Sequence, residues 1–260
     1  MRRAYQKIVV TRENSIEIVT LNFPEHRNAI GPTMTNELLW ALADAHEADD
    51  VRVIVLTGAG KAFCAGGDFA EMTGGSAAER LPHKGDYSDL LLAMVRAEKP
   101  IVARVNGLAM GGGLGMVAAS HFAVAADDAQ LGTPEINVGL FPMMIMAVLG
   151  RAAPRKPLLE MMLTGGKIDA RTAERCGLVT RVVAPEALDA EVERVVTAIA
   201  GKSASSLRLG LEAYYGQMDR PYREALPYLL GMLGKVAATD DAREGITAFL
   251  EKRPPAWTGK

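Results

Sequence analysis

Two glycine-rich stretches of this chain have the composition of turns that bring main-chain N–H groups close to a ligand. The first, residues 57–68, is T-G-A-G-K-A-F-C-A-G-G-D, and the second, residues 106–114, contains three consecutive glycines, Gly111 to Gly113. The triplet precedes uncharged small and apolar residues that predict a buried helix. The first N–H groups of a helix have no partner within it and carry the positive end of its dipole, so they can bind an oxyanion. Close packing of the helix against a strand is the alternative explanation.

Each glycine-rich stretch follows an apolar run that predicts a buried strand, at residues 51–56 and 101–105. The run at 51–56 is apolar on both faces, so we expect it to be central in a sheet. Residues 8–11 and 15–21 predict a further pair of strands. The repeated order of strand, glycine-rich loop and helix indicates a chain built from similar units.

Other segments predict the connections between these units. Thr33 or Thr35 is expected to cap a helix in which Leu38, Leu42 and Ala45 share one face.

Residues 73–87 are rich in Gly, Ala, Pro and charge, and we expect a mobile connection or lid there. From residue 203 onward the pattern predicts only helices. We therefore expect a division into residues 1–200 and 201–260.

The composition excludes several classes of protein. The chain has 260 residues, of which 49% are hydrophobic and 23% charged, which is typical of a soluble globular protein. A net charge of −2 without a basic block gives no reason to expect a nucleic-acid partner. Two cysteines define no disulfide framework, and no set of residues resembles a metal site. Without an apolar secretory segment or membrane span, a cytoplasmic location and no membrane partner are expected.

Six short motifs along the chain resemble those of the enoyl-CoA hydratase/isomerase family, also called the crotonase superfamily. They are P-E-H-R-N-A-I (24–30), G-K-A-F-C-A-G-G-D-F (60–69), N-G-L-A-M-G-G-G-L (106–114), G-T-P-E-I-N-V-G-L-F-P (132–142), L-T-G (163–165) and A-F-L-E-K-R (248–253). Each motif alone is weak, but they occur in family order and span nearly the whole chain.

The resemblance implies an α/β fold, with a core of ββα units wound into a spiral and a C-terminal helical region that mediates trimerisation. Members of the family assemble as homotrimers or dimers of trimers. Their shared chemistry stabilises the enolate of a CoA thioester with two main-chain N–H groups, and no cofactor is expected beyond the CoA moiety of the substrate.

The motif matches also imply a set of site residues. The two N–H donors are expected from Ala65 and Gly112. The acyl-CoA is expected to contact the first glycine-rich loop, the glycine triplet, a loop arginine and two C-terminal residues: Ala65, Gly66, Gly67, Asp68, Gly112, Arg27, Phe249 and Lys252.

The acid–base chemistry is expected to depend on Glu135. Hydratases of the family carry two glutamates, and this chain has the second as Glu135 but Gly115 at the position of the first. Partial burial of Glu135 would raise its pKa toward the working pH. The bulky residues 143–146 stand where family hydratases have small ones, so the acyl pocket is expected to differ. His121 is expected to be a structural histidine.

A single carboxylate is compatible with several reactions of a CoA thioester. It can move a proton from C2 to C4 of a 3-enoyl thioester, or control one water that is added across the double bond. The missing glutamate slightly favours isomerisation over hydration. Decarboxylation, thioester hydrolysis and acyl-CoA binding with little catalysis are the alternatives.

Overall fold

The computed structural model describes residues 3–74 and 81–260. The described residues form ten strands: β1 (Ile8–Glu13), β2 (Ile16–Leu21), β3 (Val53–Gly58), β4 (Ala62–Cys64), β5 (Ile101–Val105), β6 (Leu108–Met110), β7 (Phe122–Ala126), β8 (Gln130–Gly132), β9 (Lys167–Asp169) and β10 (Arg181–Val183). The same residues form eleven α-helices: α1 (Pro32–Glu47), α2 (Phe69–Gly74), α3 (Tyr87–Val95), α4 (Gly112–Ala119), α5 (Met143–Ala152), α6 (Arg155–Thr164), α7 (Ala170–Arg175), α8 (Leu188–Ala200), α9 (Ala204–Met218), α10 (Tyr222–Ala237) and α11 (Asp240–Glu251). The lid predicted at residues 73–87 lies partly outside the described residues and stays a prediction.

The strands form two sheets. The larger has the order β1-β2-β3-β5-β7-β10 and the smaller has the order β4-β6-β8-β9. In the larger sheet β1 and β2 form an antiparallel pair, and all the other neighbours are parallel. In the smaller sheet β4, β6 and β8 are parallel, and β9 is antiparallel to β8. Strand β3 is buried along its whole length, which confirms its predicted central position.

The chain alternates between the two sheets. Strands β3, β5 and β7 belong to the larger sheet, and each is followed by a short strand of the smaller one, namely β4, β6 and β8. A helix or helical turn comes after each short strand. This repeated ββα unit confirms the predicted spiral core, and it places the residues after β4, β6 and β8 side by side.

Helix α1 packs its apolar face into the core, but its N-terminus differs from the prediction. Leu38, Leu42 and Ala45 are buried as expected. The residue that precedes the helix is Gly31, and neither threonine caps it. Instead, the Thr33 N–H and hydroxyl both donate to the carboxylate of Glu71, which supplies a distant acidic cap.

The C-terminal part is helical, as predicted. Helix α8 covers the outer face of the larger sheet with apolar side chains, and α9, α10 and α11 pack against one another. The predicted boundary at residue 200 coincides with the end of α8. Whether residues 201–260 form a separate domain stays a prediction. Among the described residues, no helix is long and apolar enough to cross a membrane.

Candidate active site

Both glycine-rich turns and Glu135 follow strands of the smaller sheet. We call residues 65–68, after β4, the first turn, and Gly111–Gly113, after β6, the second turn; Glu135 follows β8. These three strands are neighbours and parallel. The carboxyl ends of parallel strands meet at one edge of a sheet, so the sheet brings both turns and Glu135 together.

The two turns touch through the main chain of their glycines. A Cβ placed on Gly66 would lie 3.3 Å from the carbonyl oxygen of Met110, and one on Gly111 would lie 3.6 Å from the Cα of Gly66. The φ angles of Gly66 and Gly111 are +103° and +50°, a region that side chains disfavour. The two turns therefore meet, and the close approach explains glycine at both positions.

The main-chain N–H of Ala65 is already used inside the protein. It donates a hydrogen bond of 3.0 Å to the carbonyl oxygen of Arg27. The prediction that Ala65 supplies an oxyanion donor is therefore wrong, because this N–H anchors the first turn to the loop before α1.

Gly67 takes its place as the candidate donor of the first turn. The Ile30 N–H donates to the Gly66 oxygen at 2.8 Å, and the Asp68 N–H donates to the Ile30 oxygen at 2.9 Å. In this parallel bridge between Ile30 and Gly67, the N–H of Gly67 itself points away from Ile30. Within residues 3–74 and 81–260 it has no acceptor, so it is available to a ligand.

Gly112, the predicted donor of the second turn, is the first residue of α4. The first main-chain bond of this helix runs from the Gly115 N–H to the Gly111 oxygen at 3.0 Å, so the Gly112 N–H has no partner within the helix. A Cβ on Gly112 would lie 3.0 Å from Cγ2 of Ile30 and 3.4 Å from the hydroxyl of Tyr87. These contacts favour glycine here, and the N–H of Gly112 lies at the positive end of the helix.

Glu135 points toward the second turn rather than into open solvent. It lies in a short 3₁₀ helix, Pro134–Val138, and a Cβ placed on Gly111 would come 2.8 Å from its Oε1. Its Oε2 is buried and has no hydrogen-bond partner in the part of the chain that the structure describes. Burial raises the pKa of the Glu135 carboxyl, as predicted for a general base.

The space beside Gly115 is filled. A Cβ there would overlap Cγ2 of Ile145 and lie 2.5 Å from the Tyr87 hydroxyl. The hydroxyl itself donates a hydrogen bond of 2.5 Å to the Gly112 oxygen. A glutamate at position 115 would therefore require Tyr87 and Ile145 to move. Sequence reasoning missed Tyr87, which ends the segment predicted as a lid, because no local pattern shows that its side chain reaches the Gly112 oxygen.

Of the residues predicted to contact CoA near the first turn, Asp68 is buried and Arg27 is exposed. The Asp68 carboxylate is buried, accepts the Glu71 N–H at 3.1 Å and forms an ion pair of 3.2 Å with Lys7. These partners hold the first turn in place, so the structure gives the Asp68 side chain an internal function. Arg27 is exposed and adjoins the first turn through its carbonyl, so its predicted contact with CoA phosphates stays a prediction.

Phe249 and Lys252 lie at the C-terminal end of the chain's last helix, α11. Phe249 is 82% exposed, and Lys252 ends the helix in a left-handed conformation. Helix α11 packs against α9 and α10. The prediction that these residues reach CoA from a neighbouring subunit is not tested by a single chain.

Two further titratable residues, Cys64 beside the first turn and His121 beyond the C-terminal end of α4, have internal contacts. Burial raises the pKa of the Cys64 thiol to about 12, so it stays a neutral packing group. Burial lowers the pKa of His121 to about 4, and its Nδ1 accepts the Ile101 N–H at 2.9 Å. The predicted structural function of His121 is consistent with these contacts. Across the described residues, no group of three or more His, Cys, Asp or Glu side chains could hold a metal ion.

Comparison with known proteins identifies the class. The sequence profile described as enoyl-CoA hydratase/isomerase matches residues 11–260. A probable enoyl-CoA hydratase of Mycobacterium tuberculosis is 35% identical over 255 residues, which cover 98% of each chain. The mitochondrial enoyl-CoA hydratase domain-containing protein 3 of mouse is 36% identical over 252 residues, covering 95% of this chain and 83% of the relative. The fold and the turns thus define a crotonase-type protein.

Solved structures agree with this class. The enoyl-CoA hydratase of Mycobacterium smegmatis superposes with a TM-score of 0.90 at 35% identity, covering 97% of this chain and 99% of the other. Human enoyl-CoA hydratase domain-containing protein 3 gives a TM-score of 0.90 at 32% identity, covering 97% and 100%. The chain belongs to the enoyl-CoA hydratase/isomerase family.

Proposed function

We propose that the protein hydrates or isomerises the double bond of an enoyl-CoA thioester. The main-chain N–H groups of Gly67 and Gly112 bind the thioester oxygen, and Glu135 is the acid–base group. The observation that carries this proposal is the junction of the two turns, where Gly66 meets Gly111 and the Glu135 carboxylate, whose Oε2 has no partner among the described residues, lies against Gly111.

The chemistry follows from where negative charge develops. Removing a proton from C2, or adding hydroxide at C3, places negative charge on the thioester oxygen. Neutral N–H donors stabilise that charge without a metal, and losing one such donor typically costs about 3–4 kcal/mol of barrier. The N–H groups only donate hydrogen bonds and transfer no protons. In this proposal Glu135 therefore carries out every proton transfer.

Glu135 can serve either reaction in its ionised form. In hydration it takes a proton from water while the hydroxide adds to C3, and it then gives that proton to C2. In isomerisation it takes a proton from C2 of a 3-enoyl thioester and returns it to C4. The raised pKa of Glu135 makes both the uptake and the return of the proton easier near neutral pH.

The relatives are named as hydratases, which supports hydration, whereas the single glutamate is compatible with both reactions. Incubation of a panel of 2-enoyl- and 3-enoyl-CoA thioesters in H₂¹⁸O or D₂O separates them. Label from the solvent oxygen at C3 indicates hydration, whereas conversion of a 3-enoyl to a 2-enoyl thioester indicates isomerisation, with deuterium at C4 to the extent that the proton on Glu135 exchanges with solvent before its return. Carbon dioxide or free CoA as the product would indicate a decarboxylase or thioesterase instead.

Glu135→Gln tests the assigned base. It keeps the size of the side chain but cannot accept a proton, so turnover should fall by about 10²–10⁴-fold while acyl-CoA binding persists. Glu186→Gln, at an exposed position away from the site, is the matched control and should retain normal turnover. Normal turnover by Glu135→Gln would refute the proposal.

A homotrimer or dimer of trimers is proposed as the active assembly. Helices α10 and α11 expose large apolar side chains, which marks an interaction surface: Tyr222, Leu226, Leu230, Leu233, Ile246, Phe249 and Leu250. Light scattering of the protein as it elutes from a size-exclusion column should give about three or six times the mass of one chain. A cytoplasmic location is likewise proposed and can be checked by cell fractionation.

A further inference from the structure

The space where family hydratases place their first glutamate contains a different polar group in this chain. The Tyr87 hydroxyl would lie 2.5 Å from a Cβ on Gly115 and 3.4 Å from one on Gly112. The Glu135 carboxylate lies on the adjacent glycine, Gly111. One phenol oxygen and one carboxylate therefore flank successive residues of the second turn.

The hydrogen bond of Tyr87 decides what it can offer a ligand. Its proton is donated to the Gly112 oxygen, and burial, together with nearby Cys64 and Glu135, raises the pKa of the phenol. The hydroxyl therefore keeps its proton, and its oxygen can act as a hydrogen-bond acceptor through its lone pairs. It cannot replace the missing glutamate as a base, but it can accept a hydrogen bond.

We propose that Tyr87 positions the water that Glu135 activates, and that the protein is therefore a hydratase. A water molecule has two protons. Glu135 accepts the first and removes it, while the Tyr87 oxygen accepts a hydrogen bond from the second and fixes the direction of the water lone pair toward C3. The second proton stays on the oxygen that becomes the C3 hydroxyl, and Glu135 returns the first proton to C2. This inference rests on the function proposed above.

A second explanation is that Tyr87 only fixes the Gly112 main chain. The two explanations differ in which reactions need Tyr87. Exchange of the C2 protons of a saturated acyl-CoA with solvent needs Glu135 and the two N–H donors, but it uses no attacking water. A purely structural tyrosine would affect hydration and exchange alike, whereas a water-positioning tyrosine affects hydration alone.

The experiment compares Tyr87→Phe with the wild type in both reactions. Hydration of a 2-enoyl-CoA should fall by about 10–100-fold in kcat with little change in KM. Loss of deuterium from C2 of the matching saturated acyl-CoA should stay within about threefold. Tyr215→Phe, which removes the hydroxyl of a partly buried tyrosine in edge-to-face contact with His121, is the matched control and should change neither reaction.

Each other outcome overturns the inference. Unchanged hydration, or a parallel loss of hydration and exchange, shows that Tyr87 does not position water. If Tyr87→Phe folds poorly, Tyr87→His is the second variant, because its ring nitrogen can accept the hydrogen bond from water. Tyr87→His should therefore retain both reactions. C2 exchange without hydration in Tyr87→His would count against the inference. A wild type that isomerises but does not hydrate refutes this inference and leaves the proposed function standing. Activity retained by Glu135→Gln would instead refute the proposed function itself.

Discussion

The two glycine turns have similar sequences, but they are held in different ways. The first turn is tied along its length to residues 27–30, through the Ala65 N–H, the Gly66 oxygen and the Asp68 N–H. The second turn opens a helix, and the N–H of Gly112 is free because helical geometry leaves it so. The first turn thus offers the N–H of Gly67, which the pairing with Ile30 turns outward and which has no acceptor among the described residues. The comparison shows that long-range pairing, and not the motif, decides which N–H a ligand can reach.

The supports of the two turns also differ in chemistry. Lys7 joins the first turn to α2, by ion pairs of 3.2 Å to Asp68 and 2.8 Å to Glu71, and Glu71 in turn accepts a hydrogen bond from the Thr33 N–H of α1. The second turn has uncharged supports, from the Gly111 N–H to the Gly132 oxygen at 2.9 Å and from Tyr87 to the Gly112 oxygen. We therefore expect charge and pH to affect the first turn, and packing to affect the second.

Gly111→Ala should break the second turn with the largest effect on activity. The φ of residue 111 is +50°, which is unfavourable for alanine, and the new Cβ would lie 2.8 Å from Oε1 of Glu135. A displaced base typically costs about 100-fold in rate, so kcat should fall by at least about that factor. Gly60→Ala is the control, because it has a φ of +72° but only an ordinary 3.4 Å contact with Pro24. Equal losses of kcat in the two variants would show that the positive φ alone, and not displacement of Glu135, lowers the activity.

Lys7→Met should break the support of the first turn. It removes a cation that is only 18% exposed and leaves two carboxylates that are each 8% exposed without their partner. We expect a loss of roughly 2–3 kcal/mol in the free energy of unfolding at neutral pH. Arg171→Met, which removes an exposed ion pair with Glu174, should change it by less than about 0.5 kcal/mol. Urea unfolding measures both, and similar losses would contradict the account.

The pH dependence of the Lys7 network has a definite sign. Burial alone would raise the pKa of Asp68 and Glu71, but their bonds to Lys7 and to neighbouring donors keep both pKa values below the ordinary range. A lowered folded-state pKa gives stability that is present above the unfolded pKa and lost as pH falls through the folded value. The difference between wild type and Lys7→Met should therefore shrink in acid. A difference that does not change with pH would argue against these ion pairs.

Gly115→Ala tests whether the space beside Gly115 is filled by Ile145 and Tyr87. Its Cβ would overlap Ile145 and the Tyr87 hydroxyl, so we expect a loss of about 1–3 kcal/mol from overpacking. Gly210→Ala is a helical control with nothing within 4 Å of the new Cβ, and it should gain about 0.5–1 kcal/mol. Thermal unfolding of the two variants should therefore move in opposite directions. A tolerated alanine at position 115 would show that the space is open.

The smallest expected effect is the change in the free energy of unfolding when Glu135 is replaced. Because burial raises its pKa in the folded state, the stability linked to its protonated form is present below the unfolded pKa and is lost as pH rises through the folded value. Glu135→Gln should thus be slightly more stable than the wild type at neutral pH, with a smaller difference in acid. Wild-type kcat/KM should rise with pH through a value above that of an exposed glutamate. Thermal unfolding and rate profiles across this range test both statements.

Much of the fold follows from local sequence patterns. Apolar runs followed by glycine-rich loops predict units of strand, loop and helix, and the family resemblance implies that these units form a ββα spiral. The half-buried position of Glu135 is also consistent with its apolar neighbours in the sequence. These features depend on residues that are close together in the chain.

The parts that could not be predicted depend on contacts between distant segments. The Ala65 N–H is used by Arg27, and Glu71 replaces Thr33 and Thr35 at the start of α1. Tyr87 reaches Gly112 from another helix. A motif match assigns residue types to positions, but it cannot show which main-chain groups already have partners.

The structure of the protein with a bound acyl-CoA thioester tests the central claim most directly. We expect the thioester oxygen at about 2.7–3.1 Å from the main-chain nitrogens of Gly67 and Gly112, with the Glu135 carboxylate beside C2. A thioester oxygen bound at Ala65, or a Glu135 carboxylate turned away from the acyl carbons, would contradict it.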